Sequence, residues 1–247
     1  MITKRIGFKR RSLVKNIALI FAGGHGTRMT MADRPKQFLE IDNKAILCYT
    51  VEHFEKHPLI NGIVVVTTGA WLDYTKNILK DYKKVFAIIP GGDTALNSQY
   101  FGLLEAEKFA NGESAIVLIH DGVRPLIDED IITNCIKSVK EKGNGITTAP
   151  AIETIIQVDD NGNIIETLDR QYCQLARAPQ AFYLKDILSL HNKSIEENTH
   201  NFIDSASMMR HYGYKLNSVL GSADNIKVTT ITDYYICEAM LKKRKNK

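Results

Sequence analysis

Cysteine is scarce in this sequence, and its four copies stand far apart: Cys48, Cys135, Cys173 and Cys237. No two of them form a C-x-x-C pair, so neither a zinc site nor a disulfide framework is indicated. Buried free thiols in a reducing compartment are the ordinary alternative. The sequence therefore predicts a cytoplasmic protein.

Long hydrophobic runs are also absent. No segment approaches the roughly 20 apolar residues that span a bilayer, and the apolar run before the first glycines is about as short as a signal-peptide core can be. The net charge is only +4, and much of it lies near the two ends, where solvated basic termini are common. We predict no membrane or nucleic-acid partner, a flexible basic extension over residues 1–15, and a single domain over residues 16–247.

Hydrophobic content of 44% and charged content of 24% in 247 residues suit one large α/β domain or two small ones. Buried-strand patterns alternate with helical patterns. This order predicts a doubly wound, mostly parallel sheet that binds ligands beyond the carboxyl ends of its strands. The predicted strands are 17–21, 62–67, 85–89, 114–119, 145–150 and 215–219. The predicted helices are 45–56, 71–82, one ending near 109, 128–142, 184–197, 205–212, and 232–243 with Tyr235, Ala239 and Met240 facing inward.

A glycine-rich stretch follows the first predicted strand. Three glycines allow a sharp turn and close backbone approach to a ligand, and two cations follow them: Gly23, Gly24, Gly26, Arg28 and Lys36. Backbone N–H groups with a guanidinium and an ammonium suit a polyphosphate. The spacing fits neither the Rossmann fingerprint nor the P-loop. The alternative is an ordinary glycine turn with two solvated cations.

A second candidate site follows the predicted strand 114–119, which delivers His-Asp-Gly-Val-Arg-Pro at residues 120–125. Asp121 and Arg124 at the end of a buried strand are typical of a ligand site. The alternative is a surface ion pair, which contributes only about 0–1 kcal/mol. Asn97 and Ser98 open the helix that ends near 109, where they can cap the helix or contact a base or ribose.

Two short strand patterns, 155–158 and 163–167, flank the sequence Asp-Asp-Asn-Gly and predict a β-hairpin. Asp159 and Asp160 could belong to a metal-binding D-x-D motif, but the Asn161-Gly162 turn signal explains them better. An isolated hairpin is marginally stable in water and must pack on something.

The motifs A-G-G-x-G-T-R-M and P-K-Q-F-L, at residues 22–29 and 35–39, resemble the signature of the sugar-nucleotide pyrophosphorylase superfamily. More narrowly, they resemble the cytidylyltransferases that act on methylerythritol 4-phosphate or ribitol 5-phosphate. Matches to H-D-x-x-R-P at 120–125 and N-I-K-x-T at 225–229 extend the resemblance over residues 16–243. The resemblance implies a Rossmann-like nucleotidyltransferase fold whose hairpin, about 152–173, is a protruding dimerisation arm.

The resemblance also implies roles for individual residues, with CTP and a polyol phosphate as substrates, Mg²⁺ as cofactor and a homodimer as the assembly. Asp121 is the expected Mg²⁺ ligand. Catalytic roles fall to Arg28, Lys36 and Lys227, and acceptor binding to Thr154, Arg170 and Asp204, although Asp204 is equally well placed to stabilise a helix N-terminus. Nucleotide binding falls to Ala22, Gly23, Gly24, Gly26, Thr27, Gly91, Asn97, Ser98, Asp121, Gly122 and Arg124.

The chain departs from the family pattern at three positions, where Ala95, Ile156 and Ala178 replace an arginine, a lysine and a threonine. The Ala-Gly-Gly loop, Trp71 and Gly122 look more like the ribitol 5-phosphate branch, which we therefore favour. The alternatives are the methylerythritol 4-phosphate enzyme of isoprenoid synthesis and an inactive nucleotide-binding relative.

Overall fold

The computed structural model describes residues 14–23, 34–199 and 202–245. The strands are β1 (Lys15–Ala22), β2 (Glu40–Ile41), β3 (Lys44–Ala45), β4 (Gly62–Thr67), β5 (Val85–Pro90), β6 (Ala115–Asp121), β7 (Asn144–Pro150), β8 (Ile155–Val158), β9 (Ile164–Leu168), β10 (Gln174–Tyr183) and β11 (Ser218–Leu220). The helices are α1 (Ile46–Lys56), α2 (Leu72–Leu79), α3 (Ala95–Ala110), α4 (Glu129–Lys142), α5 (Leu184–Glu196), α6 (Ser205–His211) and α7 (Ile231–Lys245).

A seven-stranded sheet in the order β11-β7-β10-β6-β1-β4-β5 forms the centre of the protein. β1 pairs in parallel with β4 and with β6, and only β10 runs antiparallel to its neighbours. The predicted doubly wound, mostly parallel sheet is confirmed. The topology brings the carboxyl ends of β1, β4, β5 and β6 to one edge of the sheet.

β1 explains how the sheet is covered on both faces. Ile17 and Leu19 are fully buried on one face with α3, α5 and α6, and Ala18 and Ile20 are buried on the other with α1, α2 and α4. Successive side chains of a strand point to opposite faces, so an unbroken apolar run is what a doubly covered strand requires.

The sequence pattern did not predict β10. Its sequence, QLARAPQAFY, has no long apolar run and contains a proline, which cannot donate a ladder hydrogen bond. The pairing with β7 shifts register between Ala176 and Gln180, around Pro179. The second half of the strand, residues 178–182, is buried by its place in the sheet, although its sequence is not strongly hydrophobic.

The inward face predicted for the last helix is wrong for Tyr235 and Ala239, which are both exposed. Cys237 and Leu241 are the buried side chains of α7, whereas Tyr235 is 56% exposed. Met240 packs at the edge of the cluster that α7 forms with Ile46 and its neighbours. Apolar residues occur all round this helix, so its sequence does not single out one stripe.

The hairpin prediction is confirmed, because β8 and β9 pair as an antiparallel ribbon. Asp159 forms the turn, where its carboxylate accepts hydrogen bonds from the backbone N–H groups of Asn161 and Asn163. These contacts support the interpretation of Asp159 as a turn residue. None of the described helices is long and apolar enough to cross a membrane.

His191, buried in α5 beside Tyr100, makes stability sensitive to acid. Burial lowers its pKa to about 4, so between pH 6.5 and 4 the unfolded chain binds a proton that the folded chain does not. Stability therefore falls as the pH falls through this window. We expect His191→Phe to remove up to about 3 kcal/mol of this loss, measured as the free energy of unfolding in urea at pH 7 and pH 4.5. Parallel pH dependences for wild type and variant would contradict the assignment.

Candidate active site

A cavity of about 530 Å³ opens at the carboxyl edge of the sheet, where the predicted topology places a ligand. Side chains from the ends of β1 and β6 meet there with residues of the loop before α3, with β10 and with the segment before α7. The residues that sequence analysis assigned and that line this cavity are Ala22, Gly23, Lys36, Ser98, Asp121, Arg124, Asp204 and Lys227.

Asp121, the last residue of β6, holds two cations. Its Oδ1 accepts a hydrogen bond from Lys227 Nζ at 2.7 Å, and its Oδ2 accepts one from Arg124 Nε at 2.8 Å. Burial by itself would raise the pKa of Asp121, but the charges and hydrogen bonds of Lys227 and Arg124 outweigh it and lower the pKa to about 2. Asp121 is thus ionised at neutral pH, and the three groups together carry one net positive charge.

Backbone contacts fix the positions of this triad. Arg124 is buried, and its Nη1 donates to the carbonyl of Asn225 at 2.9 Å. Asn225 Nδ2 donates to the carbonyl of Ala178 on β10 at 2.8 Å, and Val228 N donates to the carbonyl of Val123. These bonds tie the segment that carries Lys227 to both β6 and β10, which places its ammonium at the cavity.

Lys36 also lines the cavity and begins a short 3₁₀ turn, Lys36–Phe38. The residues after it anchor this turn. Gln37 Nε2 donates to the carbonyl of Ala22 at 2.6 Å, and the Phe38 ring packs on Trp71 and Tyr74 with centroids 5.0 and 5.1 Å away. The P-K-Q-F sequence thus fixes Lys36 beside the end of β1. Sequence analysis assigned no role to Gln37.

His120 precedes Asp121 but does not supply acid–base chemistry. It is buried against Phe54, and its Nε2 lies 3.3 Å from the carbonyl oxygen of Arg124. Burial lowers the pKa of His120 to about 3, so the ring is neutral at physiological pH. The described part of the site therefore acts through cations and hydrogen-bond donors.

The loop before α3 differs in detail from the prediction. Thr94 caps α3, because its Oγ1 accepts from Asn97 N at 3.0 Å, so neither Asn97 nor Ser98 is the capping residue. Ser98 Oγ instead contacts the backbone of Gly92. Ser98 lines the cavity, whereas Asn97 and Gly91 lie behind it.

Asp204 serves as the N-cap of α6 in a reciprocal pair of bonds with Ser207. Its Oδ2 also accepts from Gln180 Nε2 at 2.6 Å, and Gln180 Oε1 in turn accepts from Ala206 N. The helix-capping interpretation of Asp204 is confirmed. The same carboxylate lines the cavity, so its acceptor-binding role stays a prediction.

Thr154 and Arg170 do not line the cavity of their own chain. Both lie by the hairpin, where Arg170 is exposed and its Nη1 donates to the carbonyl of Ile152. Gly24, Gly26, Thr27 and Arg28 lie outside the described residues.

Gly122 packs against the body of the fold and does not line the cavity. Its N–H donates to the carbonyl of Phe21 at 2.7 Å, and an added Cβ would lie 2.7 Å from that oxygen and 2.9 Å from Leu47 Cδ1. We expect Gly122→Ala to lower the free energy of unfolding by about 1–3 kcal/mol. In urea denaturation, Gly69→Ala is the matched control, because its Cβ would meet nothing within 4 Å. Equal stability of the two variants would contradict the packing role.

The described residues of the cavity suit a Mg²⁺ ion that is held partly by substrate phosphates, and they do not form a complete metal site of their own. No group of three or more His, Cys, Asp or Glu side chains in the described ranges could hold a metal. Asp121 is ionised, but each of its oxygens already accepts a bond from a cation. Mg²⁺ commonly binds through one or two carboxylates plus substrate phosphates, and Asp121 matches that pattern.

Comparison with known proteins identifies the class of protein to which this fold belongs. The structure titled 4-diphosphocytidyl-2C-methyl-D-erythritol synthase from Anaerococcus prevotii matches with a TM-score of 0.81 and 26% identity, covering 93% of this chain and 99% of that one. The structure is therefore that of a nucleotidyltransferase. The model of the IspD family, described as 2-C-methyl-D-erythritol 4-phosphate cytidylyltransferase, matches residues 16–243. The chain belongs to the IspD family of cytidylyltransferases.

Two sequence relatives bear on the acceptor. The ribitol-5-phosphate cytidylyltransferase of Vibrio parahaemolyticus is 45% identical over 233 residues, which cover 94% of this chain and 98% of that protein. The 2-C-methyl-D-erythritol 4-phosphate cytidylyltransferase of Syntrophus aciditrophicus is 34% identical over 236 residues, covering 94% and 98%. The family thus assigns CTP and a polyol phosphate as substrates.

Proposed function

We propose that the protein transfers a cytidylyl group from CTP to D-ribitol 5-phosphate, giving CDP-ribitol and pyrophosphate. The observation that carries this choice is that the four relatives at 43–45% identity are all named for ribitol 5-phosphate. A fifth relative named for ribitol 5-phosphate is 34% identical, and three relatives named for methylerythritol 4-phosphate are 34–37% identical.

The reaction needs no base to activate the nucleophile, because a phosphate oxygen is already nucleophilic. A cavity lined by cations therefore suits this chemistry. A phosphate oxygen of the acceptor attacks the α-phosphorus of CTP, the bond to the β-phosphate breaks, and pyrophosphate leaves with the electron pair. The protein must offset repulsion between two anions and stabilise the charge that develops on the transferred phosphorus. Cations fixed around a cavity perform this task.

Two of the predicted catalytic side chains, Lys36 and Lys227, have roles consistent with their places at the cavity. Lys36, beside the end of β1, binds the triphosphate and neutralises the leaving pyrophosphate, together with Arg28. Lys227 moves its ammonium from Asp121 to the α-phosphate when substrates bind. Asp121 would hold a Mg²⁺ ion brought by the triphosphate, and such an ion would add to the neutralisation of phosphate charge.

Methylerythritol 4-phosphate is the second candidate acceptor, and the description of the family model favours it. An assay of pyrophosphate release by the full chain, with CTP and Mg²⁺, tests the proposal with each acceptor separately. We expect turnover and CDP-ribitol, identified by mass, with ribitol 5-phosphate. Turnover with methylerythritol 4-phosphate alone would contradict the proposal. Binding of CTP without turnover of either acceptor would identify an inactive relative.

The proposal includes a homodimer formed through the arm, residues 152–173. The arm and the strand after it expose apolar side chains that a lone hairpin cannot bury: Ile152, Ile156, Val158, Ile164, Ile165, Tyr172 and Leu175. A partner's arm would also bring Thr154 and Arg170 toward a cavity that they do not reach within their own chain.

We expect light scattering to give twice the 27.8 kDa chain mass for the wild type and a single chain mass for the double variant Ile165→Glu, Tyr172→Glu. Both side chains are at least 60% exposed, so the folded monomer should tolerate the change. Leu59→Glu is the matched control, since Leu59 is 41% exposed outside the arm. A monomeric wild type, or a variant that still dimerises, would contradict the arm's role.

A further inference from the structure

Arg177 on β10 lines the cavity, and no motif had assigned it a role. The sheet order places β6 between β1 and β10. One strand thus separates β10 from β1, the strand that leads into the glycine stretch, and Arg177 lines the cavity from β10.

Within the described part of the chain, no group accepts a hydrogen bond from this guanidinium. Its Nε is buried without a hydrogen-bond partner, and no carboxylate in the described part of the chain lies within 4.0 Å of its nitrogens. By contrast, Arg124 pairs with Asp121 and with the carbonyl of Asn225. A buried donor without a partner is costly, and a charged one more so.

A second cation increases this cost. Arg124 and Arg177 both line the cavity, and burial, followed by the charge of Arg124, lowers the pKa of Arg177. Asp121 is engaged by Arg124 and Lys227 and leaves Arg177 uncompensated. An anion bound between the two arginines would supply the missing partner.

Small side chains leave room for such an anion. Ala176 and Ala178 flank Arg177 on β10, and Ala95 lines the cavity at the start of α3. Their methyl groups neither fill the space beside the guanidinium nor accept its hydrogen bonds. The planar fork of an arginine matches two oxygens of a phosphate at once.

We propose that Arg177 binds the phosphate of the polyol phosphate acceptor. This inference rests on the proposed function, which supplies two phosphate-bearing substrates. The triphosphate of CTP is assigned to Gly23 and Lys36, near the end of β1, whereas Arg177 lies on β10, whose Gln180 bonds Asp204, a predicted acceptor-binding residue. An acceptor phosphate between Arg177 and Arg124 would lie next to Lys227, where its oxygen attacks the α-phosphorus.

Steady-state kinetics of Arg177→Gln test the inference. We expect KM for ribitol 5-phosphate to rise about 10- to 100-fold, the loss typical of one charged hydrogen-bonding group, while KM for CTP stays within about twofold. Arg177→Lys should recover part of the loss because it keeps the charge without the fork. Arg210→Gln, an exposed arginine on α6, is the matched control. An unchanged KM for the acceptor, or an equal rise in both KM values, would overturn the inference.

Calorimetry separates this inference from the proposed function. Wild type should bind ribitol 5-phosphate at least tenfold more tightly than ribitol, and Arg177→Gln should lose most of that preference. If the wild type does not turn over ribitol 5-phosphate, the proposed acceptor fails, and methylerythritol 4-phosphate and inorganic phosphate become the probes. Equal binding of these probes by wild type and Arg177→Gln would then overturn the role of Arg177.

Discussion

Lys36→Ala is expected to fold normally and to lose at least about 10²–10³ in turnover, the effect of removing one preorganised charge-stabilising donor. Lys36 lies in a turn that Gln37 and Phe38 anchor through their own contacts with Ala22, Trp71 and Tyr74. Truncating the lysine leaves those contacts in place. The expected loss therefore comes from the triphosphate and its departing pyrophosphate.

The measurement is kcat for pyrophosphate release with saturating CTP and acceptor, together with the urea midpoint of the same preparation. Lys76→Ala on α2, a lysine whose side chain is 54% exposed and which does not line the cavity, is the control and should retain wild-type turnover. A folded Lys36→Ala variant that turns over within tenfold of the wild type would remove Lys36 from the mechanism.

Lys227→Met is expected to have a loss of the same size, about 10²–10³ in turnover, for a different reason. Lys227 Nζ bonds Asp121, and the lysine side chain is 41% exposed. Removing the ammonium leaves Asp121 paired with the buried Arg124, so no buried charge is orphaned. Stability should change by only about 1 kcal/mol, as for partly exposed ion pairs.

Comparing kcat with KM for CTP tests the role of Lys227. We expect kcat to fall while KM for CTP changes little, because the ammonium acts on charge that develops in the transition state. Lys227→Arg should restore only part of the rate, since a planar fork does not replace a compact ammonium. Lys242→Met on α7 is the control for a general loss of positive charge. Near-normal kcat for Lys227→Met would contradict its place at the α-phosphate.

The strands that could be predicted from the sequence are those whose own residues form an apolar run. Strands such as β1 and β4 are unbroken apolar runs that end in glycine or polar residues, and their order sets the parallel topology. β10 escaped prediction because its place between β6 and β7 depends on long-range pairing, and its alanines and Pro179 carry no strand signal. The face of α7 escaped for a related reason, since apolar residues surround that helix.

Site residues likewise could be predicted where a local motif marks them and could not be predicted elsewhere. Lys36, Asp121, Arg124 and Lys227 follow recognisable motifs, and the structure brings all four to one cavity. Arg177 lies on the unpredicted strand, so no local pattern could place it there. Trp71, a sequence cue for the ribitol branch, packs on Phe38 and does not line the cavity.

Competition between the two acceptors is the most direct test of the central claim. Equal concentrations of ribitol 5-phosphate and methylerythritol 4-phosphate in one reaction with limiting CTP and Mg²⁺ give two products that phosphorus NMR can distinguish. The ratio of products is the ratio of kcat/KM values, independent of enzyme concentration. We predict that CDP-ribitol is the predominant product. Predominance of the methylerythritol product would contradict the ribitol assignment and place the protein with the relatives named for that acceptor.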